Sequence, residues 1–461
     1  MSLQQANPAD GAVPPPDRSP APSIRLWWVV VAVLVLATVR VAFLAFVPPG
    51  FYMDEAAGAA HAIAMLHYGH DAWGTPHPLY SPALGGGFTT AIYLYPLTAW
   101  IAAFGTSEWA IRAFSLAGTF MAIAVLCLAI RRWFDRRDAW LAAAIALALP
   151  WNWIQGSVAW DPALVPLIVA GGFWAFSRIV LPGSDRGRRV LLVLFPVLLL
   201  LLAYLYPPMR VTAPLLFAGA YAVFWQHKRI GARELMATLI ACSILALPLL
   251  QFMLQPEALV RARLLSVFHG ASLTEGLRAF GANMLRLLDP ATLFLTGDPN
   301  LRHGTGFQGL LGLAALAPVL GLAAAAVMAA IRRPPKPHPQ TARVRLLLLV
   351  ACAGWLASLT GAALTNEGQP HSLRSCAAWP FATIVLLVGW RWILQASMPR
   401  HVSRPALVLF VVATAGYAVH AVWYYPPRAL EAFDTQARRL ILSGQPPDAY
   451  PELARRYYET R

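Results

Sequence analysis

The stretch Val47-Pro48-Pro49-Gly50-Phe51-Tyr52-Met53-Asp54-Glu55-Ala56-Ala57-Gly58 sets two adjacent carboxylates at the mouth of an apolar run that starts near residue 26. Charge next to hydrocarbon is costly, so an acidic pair there calls for a cation, water or a reaction to compensate it. The Ala-rich continuation, Ala56 to Leu66, spaces its apolar residues as a helix does and suits an amphipathic helix lying in the membrane interface. Carboxylates in the first turn of such a helix are also favoured by its dipole, which gives the pair a purely structural reading beside the reactive one.

Composition says what surrounds that stretch. The 461 residues are 58% hydrophobic and 12% charged, with a mean hydropathy of +0.56. A soluble protein of this length could not hide so much apolar surface, so the chain is read as an all-α polytopic membrane protein. The net charge of +15 is nearly all arginine, Lys228 and Lys336 being the only lysines. In a membrane protein that excess reports topology and contact with anionic membrane lipids. No basic patch interleaved with aromatics argues for nucleic acid. The four cysteines, Cys127, Cys242, Cys352 and Cys376, lie in or beside apolar spans without a CxxC spacing, so neither a disulfide framework nor a zinc site follows from them.

Residues 1–25 are polar, rich in Pro and Ala, and expected to be a disordered cytoplasmic tail. The first span, about 26–47, has no small-residue cleavage site after it and reads as a retained helix. The cluster Arg131-Arg132-Trp133-Phe134-Asp135-Arg136-Arg137 marks the inner side. Residues 48–109 therefore fall outside, including the short apolar piece 88–104. Pro96 interrupts that piece, and it is expected to be interfacial or re-entrant. Further spans near 110–130, 138–154, 161–180, 190–206, 211–226, 235–253, 307–331, 345–365, 375–395 and 404–424 bring the expectation to about eleven crossings. The transmembrane domain is then 26–424, with long outer loops at 48–109 and 254–306 and a short outer tail at 425–461. A short helix is expected over 428–442.

Polar residues gather at one end of these spans: Asp54, Glu55, Arg112, Asp161, Arg210, Asp298, Arg302, His303, Glu367, His371 and Arg374 all fall at outer ends or in outer loops. A channel would set polar groups along a pore, and a transporter would show a midplane site with internal repeats. Charge confined to one surface favours an enzyme there; a transporter or flippase of a lipid-linked saccharide is the alternative. Arg112, Arg210 and Arg374 each sit at an outer helix end, where a single arginine is normally a snorkelling residue. Three on the side away from the positive-inside bias make a plausible cradle for a phosphate, which guanidinium binds with two parallel hydrogen bonds. Asp161, followed by Pro162, reads equally as a helix cap and as a site residue. Gly297 to His303 reads first as a turn. The histidines between residues 61 and 77 have no HxxxH or HExxH spacing, so they support a metal site only weakly; no cofactor is expected, and dependence on a divalent cation stays open.

In this order, these residues resemble the C-type glycosyltransferase superfamily (GT-C fold), in particular bacterial members of the protein O-mannosyltransferase and aminoarabinose transferase family. The resemblance rests on several stretches. The first is the Asp-Glu pair after span one with the helix ending Gly69-His70-Asp71. The second is Phe104-Gly105-Thr106-Ser107-Glu108-Trp109-Ala110-Ile111-Arg112, with Ser115 one turn on. The others are the Tyr204-to-Arg210 turn, Gly297-Asp298-Pro299-Asn300-Leu301-Arg302-His303, and Pro370-His371-Ser372-Leu373-Arg374. It implies an enzyme of a bacterial inner membrane that takes a polyprenyl-phosphate-linked sugar and transfers it with inversion at the extracytoplasmic face. It further implies that Asp54 is the general base, that Arg112, Arg210, His371 and Arg374 hold the donor phosphate, and that Glu55 orients the arginines. Asp161, Arg302 and His303 are expected to support the site. Aminoarabinose transferases carry Lys-Pro-Pro at the end of the first outer loop; here that region reads Thr75-Pro76-His77-Pro78-Leu79-Tyr80, without a lysine. The acceptor therefore stays open between lipid, protein and cell-wall glycan.

Overall fold

The structure, a computed structural model, describes residues 25–44, 47–83, 87–182, 185–332, 339–395 and 398–433. Its helices in chain order are α1 (Leu26–Phe43), α2 (Met53–Tyr68), α3 (Ala91–Phe104), α4 (Glu108–Trp133), α5 (Arg136–Ala148), α6 (Trp151–Gln155), α7 (Val165–Val180), α8 (Asp185–Leu205) and α9 (Met209–Gln226). They continue with α10 (Ala232–Met253), α11 (Pro256–Leu264), α12 (Leu273–Leu288), α13 (Leu316–Arg332), α14 (Pro339–Ala363), α15 (Trp379–Ile393), α16 (Arg400–Val419) and α17 (Tyr425–Ala429). Two short strands, β1 (Tyr80–Pro82) and β2 (Phe88–Thr90), pair antiparallel in the loop between α2 and α3. Local sequence starts several of these helices. The Ser107 hydroxyl accepts the Ala110 N–H ahead of α4, the Asp135 carboxylate accepts the Asp138 N–H ahead of α5, and Ser272 with Glu275 makes a reciprocal cap on α12. Gly69 ends α2 in the left-handed conformation that a side chain would disfavour.

Among the described residues, nine helical segments are long and apolar enough to cross a membrane, and the chain is a multi-pass membrane protein. Two of the eleven expected spans are not in that set. Residues 138–154 form α5, a helix of 13 residues, followed by the single-turn α6; at 1.5 Å per residue α5 reaches only about 20 Å, short of a bilayer core. Residues 211–226 lie in α9, whose apolar stretch is diluted by Arg210, Pro214, Tyr221 and Gln226. Residues 91–104 form a short apolar helix of 14 residues. Of the expected 428–442 helix, residues 434–442 lie outside the described residues.

The segments containing α15 and α7 are the most enclosed, with 89% and 78% of their apolar windows buried, whereas α1 and α10 bury 17% and 11% and expose their side chains outward. Helix α4 packs on α7 and α5, α7 on α8, and α13 on α15. Lipid offers no hydrophobic gain for helix association, so close approach must come from small residues at the contacts. Gly389 of α15 faces the Pro318 backbone of α13, and Gly361 of α14 faces the Pro208 backbone ahead of α9; a Cβ at either would collide with that backbone. In α10, Pro248 interrupts the hydrogen-bond ladder, and the Tyr204 hydroxyl enters the gap. It accepts the Leu249 N–H at 3.1 Å and donates to the Leu245 carbonyl at 2.7 Å.

Replacing Gly389 with Ala is expected to push α13 from α15 and destabilise the bundle by about 1–3 kcal/mol, the usual cost of overpacking. Thermal unfolding of the purified protein in detergent measures it; an unchanged melting temperature would mean that the two helices are not in this contact.

Candidate active site

Helix α2 carries Asp54 and Glu55 in its first turn, and the structure treats the two carboxylates in opposite ways. Glu55 is completely buried. Its Oε1 accepts from Arg112 Nε at 2.8 Å and from the Ala159 N–H at 2.9 Å. Its Oε2 accepts from Arg112 Nη2 at 2.8 Å and from the Tyr52 N–H at 2.9 Å. Arg112, only 3% exposed, donates further to the carbonyls of Pro48 (2.9 Å) and Gly50 (2.5 Å). A buried ion pair is tolerable only when its remaining polar atoms are satisfied in this way. The network joins the segment before α2, α2 itself, α4 and the turn ahead of Asp161.

Asp54 receives no hydrogen bond from any described residue and keeps part of its surface accessible. Burial pushes its pKa above the ordinary carboxylate value; Arg261 and Arg302 pull the other way, the Glu55 charge adds to the rise, and His303 opposes it. Asp161 stands close enough for the two charges to repel. Arg302 reaches Asp54 by way of Tyr52. Its Nη1 donates to the Tyr52 hydroxyl at 2.5 Å, its guanidinium lies 5.2 Å from that ring, and its Nε donates to Asn300 Oδ1 at 3.2 Å. The Tyr52 hydroxyl itself is pushed up to about 12, by burial first and the Asp54 charge second.

Two further loops complete the wall. Asp298 Oδ1 accepts the Asn300 N–H at 2.8 Å, and its Oδ2 accepts the Ser372 N–H at 2.8 Å and lies 3.1 Å from His303 Nδ1. One carboxylate thus staples the loop after α12 to the loop before α15. The rings of His303 and His371 stack with centroids 4.4 Å apart. His371 is held well below the usual histidine pKa, by burial first and then by His303, Arg374, Arg302 and Arg261. Arg374 donates to Thr365 Oγ1 at 2.8 Å and to Glu367 Oε2 at 2.6 Å. The Glu367 side chain is 52% exposed, so an anionic ligand could displace it at little cost, unlike the buried Glu55 partner of Arg112.

The sequence-expected residues thus divide. Asp54, Glu55, Asp161, Arg302, His303, His371 and Arg374 come together. Arg112 comes with them, its guanidinium donating to Glu55 and to two backbone carbonyls. Arg210 stands in a separate cluster, donating to the Ala203 carbonyl at 3.4 Å and lying 6.0 Å from the Phe252 ring, on which Tyr80 stacks at 3.8 Å. The sequence reading missed Arg261, the strongest cation acting on Asp54 and also one that acts on Tyr52, Glu367 and His371. Its signal was the helix start Pro256-Glu257 inside an outer loop, which places Arg261 on α11. It also missed Arg40 of α1, buried at 2% exposure, which donates to Asn152 Oδ1 at 2.6 Å and anchors α6.

Among solved structures, the chain superposes on ArnT from Cupriavidus metallidurans, crystallised with undecaprenyl phosphate, with a TM-score of 0.55 over 91% of this chain and 73% of that one, at 15% identity. The fold is that of the C-type glycosyltransferases. An oligosaccharyltransferase from Archaeoglobus fulgidus, solved with a tethered acceptor peptide, matches at a TM-score of 0.47 and 12% identity over 87% of this chain, which spans 55% of that longer protein. No protein-family profile matches the chain, and no curated protein matches it by sequence. At such identities the likeness is one of fold, and within that GT-C fold the roles of individual residues rest on the geometry above.

If Arg112 is the structural partner of Glu55, Arg112→Ala and Glu55→Ala should each destabilise the protein by about 3–5 kcal/mol, and the double variant by clearly less than their sum. Unfolding in detergent tests this; an Arg112→Ala protein as stable as wild type would return Arg112 to the list of ligand-binding residues.

Proposed function

We propose that the chain is an integral membrane glycosyltransferase that moves a sugar from a polyprenyl-phosphate donor to an acceptor at the extracytoplasmic face of a bacterial inner membrane, with inversion. The observation that carries this reading is the opposite treatment of two neighbouring carboxylates: Glu55 is locked by four hydrogen bonds, while Asp54 receives none from the described residues and feels the charges of Arg261 and Arg302. The crystal structure of ArnT with undecaprenyl phosphate, on the same fold, supports a lipid-linked donor.

In this mechanism Asp54 takes the proton from an acceptor hydroxyl or amine as that group attacks the anomeric carbon. The bond from carbon to the phosphate oxygen breaks, its electron pair leaves with the phosphate, and the configuration inverts. Arg302 and Arg374, with Arg261 and His371 beside them, stabilise the charge that grows on the leaving phosphate, the usual largest contribution to such a step. Asp161 stands close to the base. Glu55 and Arg112 hold α2 in place and take no direct part. The donor lipid's chain would lie against surrounding membrane lipids, and the acceptor would be a lipid, a protein or a cell-wall glycan.

Polyprenyl-phosphate release by the purified protein, supplied with a panel of polyprenyl-phosphate sugars, tests the reading. Asp54→Asn should fold normally and lose about a hundred- to ten-thousand-fold in turnover. A variant that turns over like wild type would remove Asp54 as base, and lipid-linked sugar that is bound without turnover by either protein would favour a flippase. The raised pKa of Asp54 also sets a pH dependence. The base works only when ionised, so the acid limb of kcat/KM should fall at a pH above the ordinary aspartate value of about 3.9. A limb at or below that value would contradict the burial of Asp54.

A further inference from the structure

Asp298, His303 and His371 each offer a donor atom within 4.8 Å of the other two, and all three side chains are buried, at 1%, 8% and 6% exposure. We propose that these three side chains form a binding site for a divalent transition metal, with zinc the best-suited ion. Two imidazoles and one carboxylate are the donor types that such ions prefer, and a fourth position would remain for water or a phosphate oxygen.

The geometry fits beyond the choice of residues. The 3.1 Å between His303 Nδ1 and Asp298 Oδ2 is close to the roughly 3.3 Å that separates two ligands of one tetrahedral ion bound at about 2.0 Å. The His371 Nδ1 takes the Arg374 N–H at 3.4 Å, which leaves the other ring nitrogen, with no hydrogen bond from the described residues, as the donor for an ion. Asp298 is already oriented by the Asn300 and Ser372 N–H groups, the kind of outer support that metal-binding carboxylates show.

The charge around the site shapes how it would work. His371 faces Arg374, Arg302 and Arg261 as well as His303, so a dication there needs more negative charge than Asp298 alone supplies. A phosphate lodged among the arginines supplies it, and metal and phosphate should then strengthen each other's binding. The sequence could not reveal this site, because Asp298 and the His371–Ser372 segment it contacts are 74 residues apart at that contact.

The test reads metal binding and not sugar transfer, so it stands or falls separately from the proposed reaction. The full-length protein, purified in detergent and stripped with a chelator, is titrated with zinc with and without a short-chain prenyl phosphate, and bound metal is counted by mass spectrometry. Wild type should take up one saturable equivalent. His371→Ala and His303→Gln should each bind about tenfold or more weaker, while their metal-free melting shows which of them is folded well enough to be scored. No saturable binding by wild type under either condition would overturn the site. So would zinc uptake that survives in both variants, which would belong to thiols such as the exposed Cys352.

Discussion

The buried pair of Glu55 and Arg112 is the interaction on which the rest of the site depends. Two carboxylates on consecutive residues repel each other, and both would be expensive at the edge of a membrane if left to themselves. Here one of them receives two arginine hydrogen bonds and two backbone N–H groups and is removed from chemistry. That commitment fixes the start of α2 against α4 and the chain before it, and so fixes where Asp54 stands. The second carboxylate is then oriented by its backbone and not by a partner. A reactive base needs that condition: held in position, yet not neutralised by its support.

Opposite Asp54 the cations come from segments far apart in sequence: Arg261 from α11, Arg302 from the loop after α12, Arg374 from the loop before α15. The immediate partners of Arg302 and Arg374 are neutral or replaceable. Arg302 leans on a tyrosine hydroxyl and an asparagine, and Arg374 on a half-exposed glutamate. Arg112 and Arg374 therefore illustrate how burial of the partner, more than the presence of an ion pair, separates a structural arginine from one that can take up an anion. Asp298 performs the joining of loops: with one oxygen on Asn300 and the other on Ser372 and His303, it brings the two histidines into contact. Elsewhere in the bundle Arg40 ties α1 to α6, and Gly389 lets α13 and α15 approach.

Much of this was legible in the sequence, for physical reasons. Hydropathy and arginine placement report the helices and one polar face, because a bilayer punishes any other arrangement. The acidic pair, Arg302 to His303 and His371 to Arg374 stood out as charge on the side where charge is scarce. What was not legible depends on distance in the chain. Arg112 looked like its neighbours in the list because its commitment to Glu55, 57 residues away, leaves no local trace. Arg210 stands at the start of α9, much as Arg374 stands just ahead of α15, but meets Tyr80 and Phe252. Arg261 lies in a loop whose helix is only nine residues long, too short to show a clear periodicity. Composition alone does not separate a crossing from a short helix such as α5, since a buried helix and a spanning one look alike over a dozen residues.

The most direct measurement of the account is a cryo-EM structure of the full chain in a lipid nanodisc with polyprenyl phosphate bound. The phosphate is expected within hydrogen-bonding reach, about 3 Å, of Arg302 and Arg374, with the Asp54 carboxylate facing the space a sugar would occupy and Arg112 still on Glu55. A phosphate seated instead at Arg210 and Tyr80, or an Arg112 that leaves Glu55 to bind it, would contradict the arrangement on which the mechanism rests.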